Sequence, residues 1–156
     1  MINLPSFLKP TPPPERRQVP RLAPDNVTSV LLVDDEPAIR SLFAMSLRRD
    51  GYFVVEAQDG EAALVAANAA GRIDVVITDI QMPLLDGTAV VEAVRSSRTH
   101  SMLPIVCMSS VKDKEDITKL VGFGIADYIL KPLRPSEVHE RFRRVISQHA
   151  GWRQRQ

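Results

Sequence analysis

The sequence is short of cysteine, of long apolar runs and of net charge, and each shortage excludes a class of protein. Its single cysteine, Cys107, cannot form a disulfide within the chain, which favours a reducing compartment and a buried, unreactive thiol. No apolar run approaches the roughly 20 residues of a membrane-spanning helix, and no secretory signal is recognisable. The formal net charge is +1, so no global field favours nucleic acid or a membrane surface. A cytoplasmic protein is expected.

The chain's length and its proline distribution predict one folded domain with short extensions. Its 156 residues, 44% of them hydrophobic, are enough for a single domain with a packed core. Residues 1–26 carry 7 of the 12 prolines, and proline fixes φ and removes a hydrogen-bond donor. We therefore predict a flexible extension over 1–26, a folded domain over 27–150, and a tail or the start of a linker over 151–156.

Strands and helices are predicted to alternate from residue 28 onward, because short apolar runs alternate with helical periodicity. The predicted strands are 30–33, 52–56, 75–78, 105–108 and 128–130. The predicted helices are 36–50, 60–71, 88–97, 114–121 and 136–149. In the first helix, Ile39, Leu42, Phe43 and Leu47 are predicted to share the buried face. Strands this apolar favour a parallel sheet with helices on both faces, which is a doubly wound α/β fold.

Four of the predicted strands end in polar residues suited to binding a metal and a phosphoryl group. Asp34 and Asp35 follow the first strand, Asp79 the third, Ser109 the fourth and Lys131 the fifth. In an open α/β sheet, ligands bind beyond the carboxyl ends of the strands. We therefore expect these side chains to meet at one edge of the sheet.

These residue types favour phosphoryl chemistry at that edge. Three adjacent carboxylates repel one another, and a divalent cation removes the repulsion. Oxygen ligands without histidine or cysteine favour Mg²⁺, which also accepts phosphate oxygens. One carboxylate can then act as the nucleophile, while the Lys131 ammonium and the Ser109 hydroxyl contact phosphoryl oxygens. A cis Lys131–Pro132 bond, which proline permits, would direct the lysine into the site.

The chain resembles the receiver domain of two-component response regulators, with a chemotaxis-type fold, over roughly residues 28–150. The motifs that carry the resemblance are Asp34-Asp35, Asp79-Ile80-Gln81-Met82-Pro83, Asp86-Gly87, Ser109, Gly124-Ile125-Ala126-Asp127-Tyr128 and Lys131-Pro132. Together, in this order and spacing, they are highly specific. The resemblance implies a flavodoxin-like (βα)5 fold whose five-stranded parallel sheet has the order 2-1-3-4-5.

The resemblance also implies a role for each site residue. Asp79 would accept the phosphoryl group from a sensor histidine kinase or a histidine phosphotransfer protein. Asp34 and Asp35 would organise Mg²⁺, with Asp79 and the backbone carbonyl of Gln81 as further ligands. Asp86 is expected to serve the turn with Gly87 rather than the metal.

In such a domain the phosphoryl group changes a surface that binds a partner. The Ser109 hydroxyl would move toward the phosphoryl group, and the Tyr128 ring would move inward behind it. The change would reach the face formed by the fourth helix, the fifth strand and the fifth helix. Such a domain is not an enzyme, since it promotes only its own phosphorylation and dephosphorylation. The resemblance allows a phosphorylation-dependent dimer, and the chain carries no recognisable nucleic-acid-binding module.

Three other functions share part of this residue pattern. The chain would serve as the regulatory fragment of a larger enzyme or transcription factor if an output domain follows Gln156. A pseudo-receiver would bind partners without phosphorylation, although the complete set of site residues argues against it. A phosphatase of the haloacid dehalogenase type needs a second aspartate two residues after the nucleophile, and Gln81 stands there instead.

Two residues depart from the commonest receiver pattern. Ser110 stands where alanine or glycine is usual, and it is expected to narrow the approach to the phosphoryl group. Val111 has no polar group to orient an attacking water molecule. The sequence therefore favours a relatively long-lived aspartyl phosphate.

Overall fold

Five strands and five helices alternate along the chain, and their bounds agree with the predicted ones to within two residues. The structure, a computed structural model, describes residues 23–110, 114–132 and 134–149. The strands are β1 (Ser29–Val33), β2 (Phe53–Ala57), β3 (Val75–Asp79), β4 (Ile105–Ser109) and β5 (Asp127–Leu130). The helices are α1 (Pro37–Arg49), α2 (Gly60–Ala69), α3 (Gly87–Ser96), α4 (Lys114–Gly122) and α5 (Pro135–His149). Most of the proline-rich extension, the tail and Val111 lie outside the described residues.

The strands form one parallel sheet in the order β2-β1-β3-β4-β5, which confirms the predicted doubly wound fold. The chain reverses its direction of winding between β1 and β3, and in such sheets that point is where ligands bind. Every residue of β1, β3 and β4 is buried, as expected for strands covered on both faces. None of the helices in the described ranges is both long and apolar enough to cross a membrane.

Alternate residues of each strand supply two separate cores. On one face, Leu31 and Cys107 pack in a cluster with residues of α2 and α3. On the other face, Leu32 and Met108 pack with Phe43 of α1 and residues of α5. This division follows from the two-residue period of a strand. Cys107 is a free, buried thiol, and burial raises its pKa to about 12, so little reactive thiolate forms near neutral pH.

Helix α2 begins at a capping residue, since the side chain of Asp59 accepts a hydrogen bond from the amide of Ala62 at 2.8 Å. The prediction that Leu42 belongs to the buried face of α1 is wrong, since 44% of its surface is exposed. Leu47 is buried as predicted, and Ala44 is buried as well. Because successive helical residues are rotated by about 100°, Leu42 points away from the side that these two occupy.

Gly87 brings the first turn of α3 against the end of β3. A Cβ atom at this position would lie 2.1 Å from the carbonyl oxygen of Asp79 and 2.7 Å from the Cα of Ile80. Both are backbone atoms, so no side-chain rotation can relieve the overlap. The amide of Gly87 also donates a hydrogen bond to the carbonyl of Ile80 at 2.9 Å. The position of α3 is therefore coupled directly to the backbone of Asp79.

Substituting Gly87 with alanine is expected to destabilise the fold, because α3 and the end of β3 must separate. The expected loss in the free energy of unfolding is about 2–3 kcal/mol, the scale of an overpacked core. Urea unfolding followed by circular dichroism measures it. Gly122→Ala is the matched control, since its Cβ would meet nothing within 4 Å. It should be neutral or stabilising by up to about 1 kcal/mol. Equal effects of the two substitutions would contradict the coupling.

Candidate functional site

Three aspartates meet at the carboxyl edge of the sheet. Carboxylate oxygens of Asp34, Asp35 and Asp79 all lie within 4.8 Å of one another. Val33 of β1 pairs with Thr78 of β3, so the residues that follow them, Asp34 and Asp79, emerge side by side. Asp34 is 0% exposed and Asp79 is 3% exposed, whereas Asp35 is exposed. The structure thus brings together the three carboxylates that the sequence predicts as a metal site.

Lys131 places an ammonium group against two of these carboxylates. Its Nζ atom lies 2.9 Å from Oδ2 of Asp79 and 3.6 Å from Oδ2 of Asp34. Its backbone amide donates to the carbonyl of Ser109 at 2.8 Å, and the Lys131–Pro132 bond is cis, as predicted. Burial alone would lower the pKa of Lys131, but the hydrogen bond and charge of Asp79, together with Asp34, raise it above its ordinary value. The lysine is therefore charged throughout the physiological range.

Asp34 remains incompletely compensated in spite of Lys131. Its Oδ1 accepts a hydrogen bond from the amide of Glu36 at 2.8 Å, but within the described ranges no donor bonds its Oδ2. Burial raises the pKa of Asp34, with the charges of Asp79 and Asp35 adding to the effect, while the Glu36 amide and Lys131 oppose it. A buried carboxylate oxygen without a hydrogen bond costs free energy. The site can therefore accept further positive charge.

A divalent cation fits this donor set. All three side chains offer oxygen, which hard cations prefer. Oδ2 of Asp34 is buried and accepts no hydrogen bond from the described residues, so a bond to a cation would satisfy this oxygen. Asp86 is outside the cluster: its side chain accepts from the amide of Ala89 at 3.0 Å and caps α3, in agreement with the expectation that it serves the turn.

Tyr128 lies on β5 as the sequence predicts, and Ser109, which is predicted to follow the fourth strand, is the last residue of β4. Ser109 is fully buried at the last position of β4, and Asp79 pairs with its neighbour Met108 on the adjacent strand. Tyr128 pairs with Cys107 and is half-buried against the core beneath α2 and α3. Ser109 therefore shares the carboxyl edge with Asp79, whereas Tyr128 lies further back along the sheet.

Sequence reasoning missed two side-chain contacts around the aspartates. Arg40 of α1 donates from Nη1 to the backbone carbonyl of Asp34 at 2.7 Å. The hydroxyl of Ser110 donates to the side-chain carbonyl of Gln81, and the backbone amide of Gln81 donates to Oδ1 of Asp79 at 3.1 Å. Arg40 carries a weak signal, since it stands on the first turns of the helix that follows Asp34. The contact between Ser110 and Gln81 joins two loops, and no periodicity indicates such a pairing.

The chain is similar to known proteins over most of the described region. Residues 30–143 match the response regulator receiver domain. Over 117 residues, 41% are identical to a probable transcriptional regulator, ycf27, of Guillardia theta, covering 75% of this chain and 44% of that protein. Over 117 residues, 32% are identical to the two-component response regulator ORR11 of rice, covering 75% and 80%. The crystal structure of chemotaxis protein CheY4 of Vibrio cholerae has a TM-score of 0.72 at 33% identity, covering 76% and 98%.

The matched residues of this chain, 30–143, include the aspartate cluster. The chain spans about half the length of several curated transcriptional regulators that it matches, for example 48% of PhoP of Bacillus subtilis. It spans nearly the whole of CheY4, whose fold it shares. The chain belongs to the response regulator receiver domain family.

Proposed function

We propose that Asp79 accepts a phosphoryl group from a sensor histidine kinase or a histidine phosphotransfer protein. The observation that carries the proposal is the contact of Lys131 Nζ with Asp79 at 2.9 Å beside the buried Asp34. An oxygen of Asp79 forms a bond to phosphorus as the bond from phosphorus to the donor's imidazole nitrogen breaks. The Lys131 ammonium is already in place to stabilise the charge on the phosphoryl oxygens, so little reorganisation is needed.

The metal in this proposal is Mg²⁺. Asp34, Asp35 and Asp79 would hold it, with the backbone carbonyl of Gln81 as a further ligand. When bound, it supplies positive charge that offsets the carboxylates and the phosphoryl oxygens. The donor set and the unbonded oxygen of Asp34 support this assignment.

In this proposal, phosphorylation of Asp79 changes the surface that the domain presents to a partner. The phosphoryl group adds charge and acceptor oxygens, and it favours whichever conformation gives these oxygens better contacts. The Ser109 hydroxyl and the Lys131 ammonium are the proposed contacts. Ser109 pairs with Leu130 on β5, which links the site to Tyr128. The face of α4, β5 and α5 would then bind a partner protein or, in a phosphorylation-dependent dimer, a second copy.

Phosphorylation of Asp79 is tested with acetyl phosphate and Mg²⁺, read on Phos-tag gels. Wild-type protein should give a retarded band, and Asp79→Asn should give none, because the amide nitrogen cannot replace the nucleophilic carboxylate. Asp86→Asn is the matched control: it makes the same change at an exposed residue, and asparagine also caps helices. A retarded band that persists in Asp79→Asn, or is absent from wild type, would contradict the proposal.

Binding of Mg²⁺ should stabilise the wild-type protein and should depend on Asp34. At ten times the dissociation constant, Mg²⁺ should add about 1.4 kcal/mol to the free energy of unfolding. Asp34→Asn should lose this gain. In EDTA at neutral pH it should instead be about 1 kcal/mol more stable than wild type, because burial disfavours the charged form of Asp34.

Thermal unfolding with and without Mg²⁺ measures both effects. Asp86→Asn should keep the wild-type response, since Asp86 lies outside the cluster. An undiminished Mg²⁺ shift in Asp34→Asn would remove Asp34 from the metal site.

The hydrogen bond between Ser110 and Gln81 joins the two loops beside Asp79, and it is expected to slow access of water. Ser110→Ala removes the donor, so loss of the aspartyl phosphate should be a few-fold faster, as for one hydrogen bond worth about 1 kcal/mol. Single-turnover hydrolysis after removal of acetyl phosphate measures the rate. Ser41→Ala, at an exposed position on α1, should leave the rate unchanged. A rate in Ser110→Ala equal to that of wild type would exclude this role.

A further inference from the structure

The guanidinium of Arg40, on the first turns of α1, binds the main chain between two of the clustered aspartates. Its Nη1 donates to the backbone carbonyl of Asp34 at 2.7 Å. This carbonyl belongs to the peptide group that joins Asp34 to Asp35. Because a peptide group is planar, a bond that holds its carbonyl also orients the bond to the Asp35 Cα atom. Arg40 therefore acts on the backbone of two proposed metal ligands at once.

The two aspartates differ in what else holds them. The amide of Asp34 donates to the carbonyl of Ala57 on β2 at 3.1 Å, and its Oδ1 accepts from the amide of Glu36 at 2.8 Å. The side chain of Asp35 is exposed, and no donor among the described residues forms a hydrogen bond or ion pair with its carboxylate. The position of that carboxylate therefore depends on its backbone, which Arg40 helps to hold.

An ion pair orients Arg40 toward this peptide group. Its Nε lies 3.5 Å from Oε2 of Glu56 on β2, the strand next to β1, and its side chain is only 16% exposed. The other oxygen of Glu56, Oε1, lies 2.9 Å from Nη1 of Arg48, about two turns further along α1. Among the described residues, Arg40 forms an ion pair with Glu56 alone. It therefore reaches the aspartate cluster through the main chain rather than by direct charge pairing.

We propose that Arg40 is a positioning residue that gives the aspartate cluster its preference for Mg²⁺ over Ca²⁺. The inference rests on the metal site proposed above. Mg²⁺ requires nearly ideal octahedral geometry with bonds of about 2.0–2.1 Å, whereas Ca²⁺ accepts longer bonds and irregular geometry. A pair of carboxylates held in one orientation favours the ion with the stricter geometry. If the pair is loosened, it loses affinity for Mg²⁺ more than for Ca²⁺.

Calorimetric titration of the full chain with Mg²⁺ and with Ca²⁺ measures both dissociation constants and their ratio. In Arg40→Gln, the dissociation constant for Mg²⁺ should rise about 10-fold or more, the scale for residues that orient metal ligands. The constant for Ca²⁺ should rise less, because its coordination tolerates a looser backbone. Arg40→Lys keeps the charge beside Glu56 but has one nitrogen for two acceptors, so it should be intermediate. It guards against a glutamine variant that fails to fold.

The rate of phosphorylation separates metal binding from the chemical step. With acetyl phosphate as the donor, Arg40→Gln should need about 10-fold more Mg²⁺ than the wild type for half its maximal rate. At saturating Mg²⁺ its rate should return to that of the wild type, because the contact of Lys131 with Asp79 is unchanged.

Arg48 provides a control on the same helix. Arg48→Gln removes the other ion pair with Glu56 and a hydrogen bond from Nη2 to the carbonyl of Val54 at 3.0 Å. These are the same kinds of contact that Arg40 makes, but they do not reach the aspartates. Arg48→Gln should therefore keep the wild-type ratio of the two dissociation constants.

Arg95, in the last turn of α3, provides a control at the opposite edge of the sheet, because it also binds the main chain. Its Nε and Nη2 donate to the carbonyls of Phe123 and Gly124, at 2.7 and 2.9 Å. Its Nη1 donates to the carbonyls of Ser101 and Leu103, at 3.1 and 2.8 Å. These acceptors lie just before β4 and β5. Arg95→Gln should lower the free energy of unfolding without changing the ratio of the dissociation constants.

The outcomes separate the role of Arg40 from the metal site itself. An unchanged ratio in Arg40→Gln, including an equal loss of affinity for both ions, would overturn the positioning role and leave the site in place. A changed ratio in Arg48→Gln or Arg95→Gln would also overturn it, since the loss of other arginines would then have the same effect. Absence of binding of either ion to the wild type would instead refute the proposed metal site, and the inference with it.

Discussion

The fold depends on holding like charges together at one edge of a buried sheet. Asp34 and Asp79 are both removed from water, and the ammonium of Lys131 contacts both. One ammonium cannot balance three neighbouring carboxylates, and none of the described residues donates a hydrogen bond to Oδ2 of Asp34. The arrangement is costly for stability and useful for chemistry, because a bound cation would relieve the repulsion between the carboxylates.

The surrounding architecture keeps these charges from relaxing apart. Asp34 and Asp79 follow adjacent buried strands in fixed register, and Gly87 brings α3 onto the backbone of Asp79. On the opposite edge of the sheet, Arg95 fixes the loops from which β4 and β5 begin. The amino ends of β4 and β5 are therefore held by contacts separate from those that hold the carboxylates at the carboxyl edge.

Contacts that leave a pattern in the sequence can be predicted from it, and contacts that leave no pattern cannot. The five strands, their parallel direction and the meeting of Asp34, Asp79 and Lys131 follow from apolar runs and from the polar residues that end them, whereas the strand order follows from the resemblance to receiver domains. The prediction that Leu42 is a core residue is wrong, because a hydrophobic residue next to the buried face of α1 cannot be distinguished by its type from the residues of that face. The contacts of Arg95 are invisible in the sequence, since a long side chain reaches backbone oxygens that no residue type marks.

Because Arg95 binds backbone oxygens, its hydrogen bonds do not depend on the side chains of the residues that accept them. Every residue type carries a main-chain carbonyl, so replacing the side chains of Ser101, Leu103 or Phe123 leaves the acceptors in place. The side chains of these loops can therefore change while the hydrogen bonds to Arg95 remain. Only the loss of the arginine itself, or a change in loop length, removes the attachment.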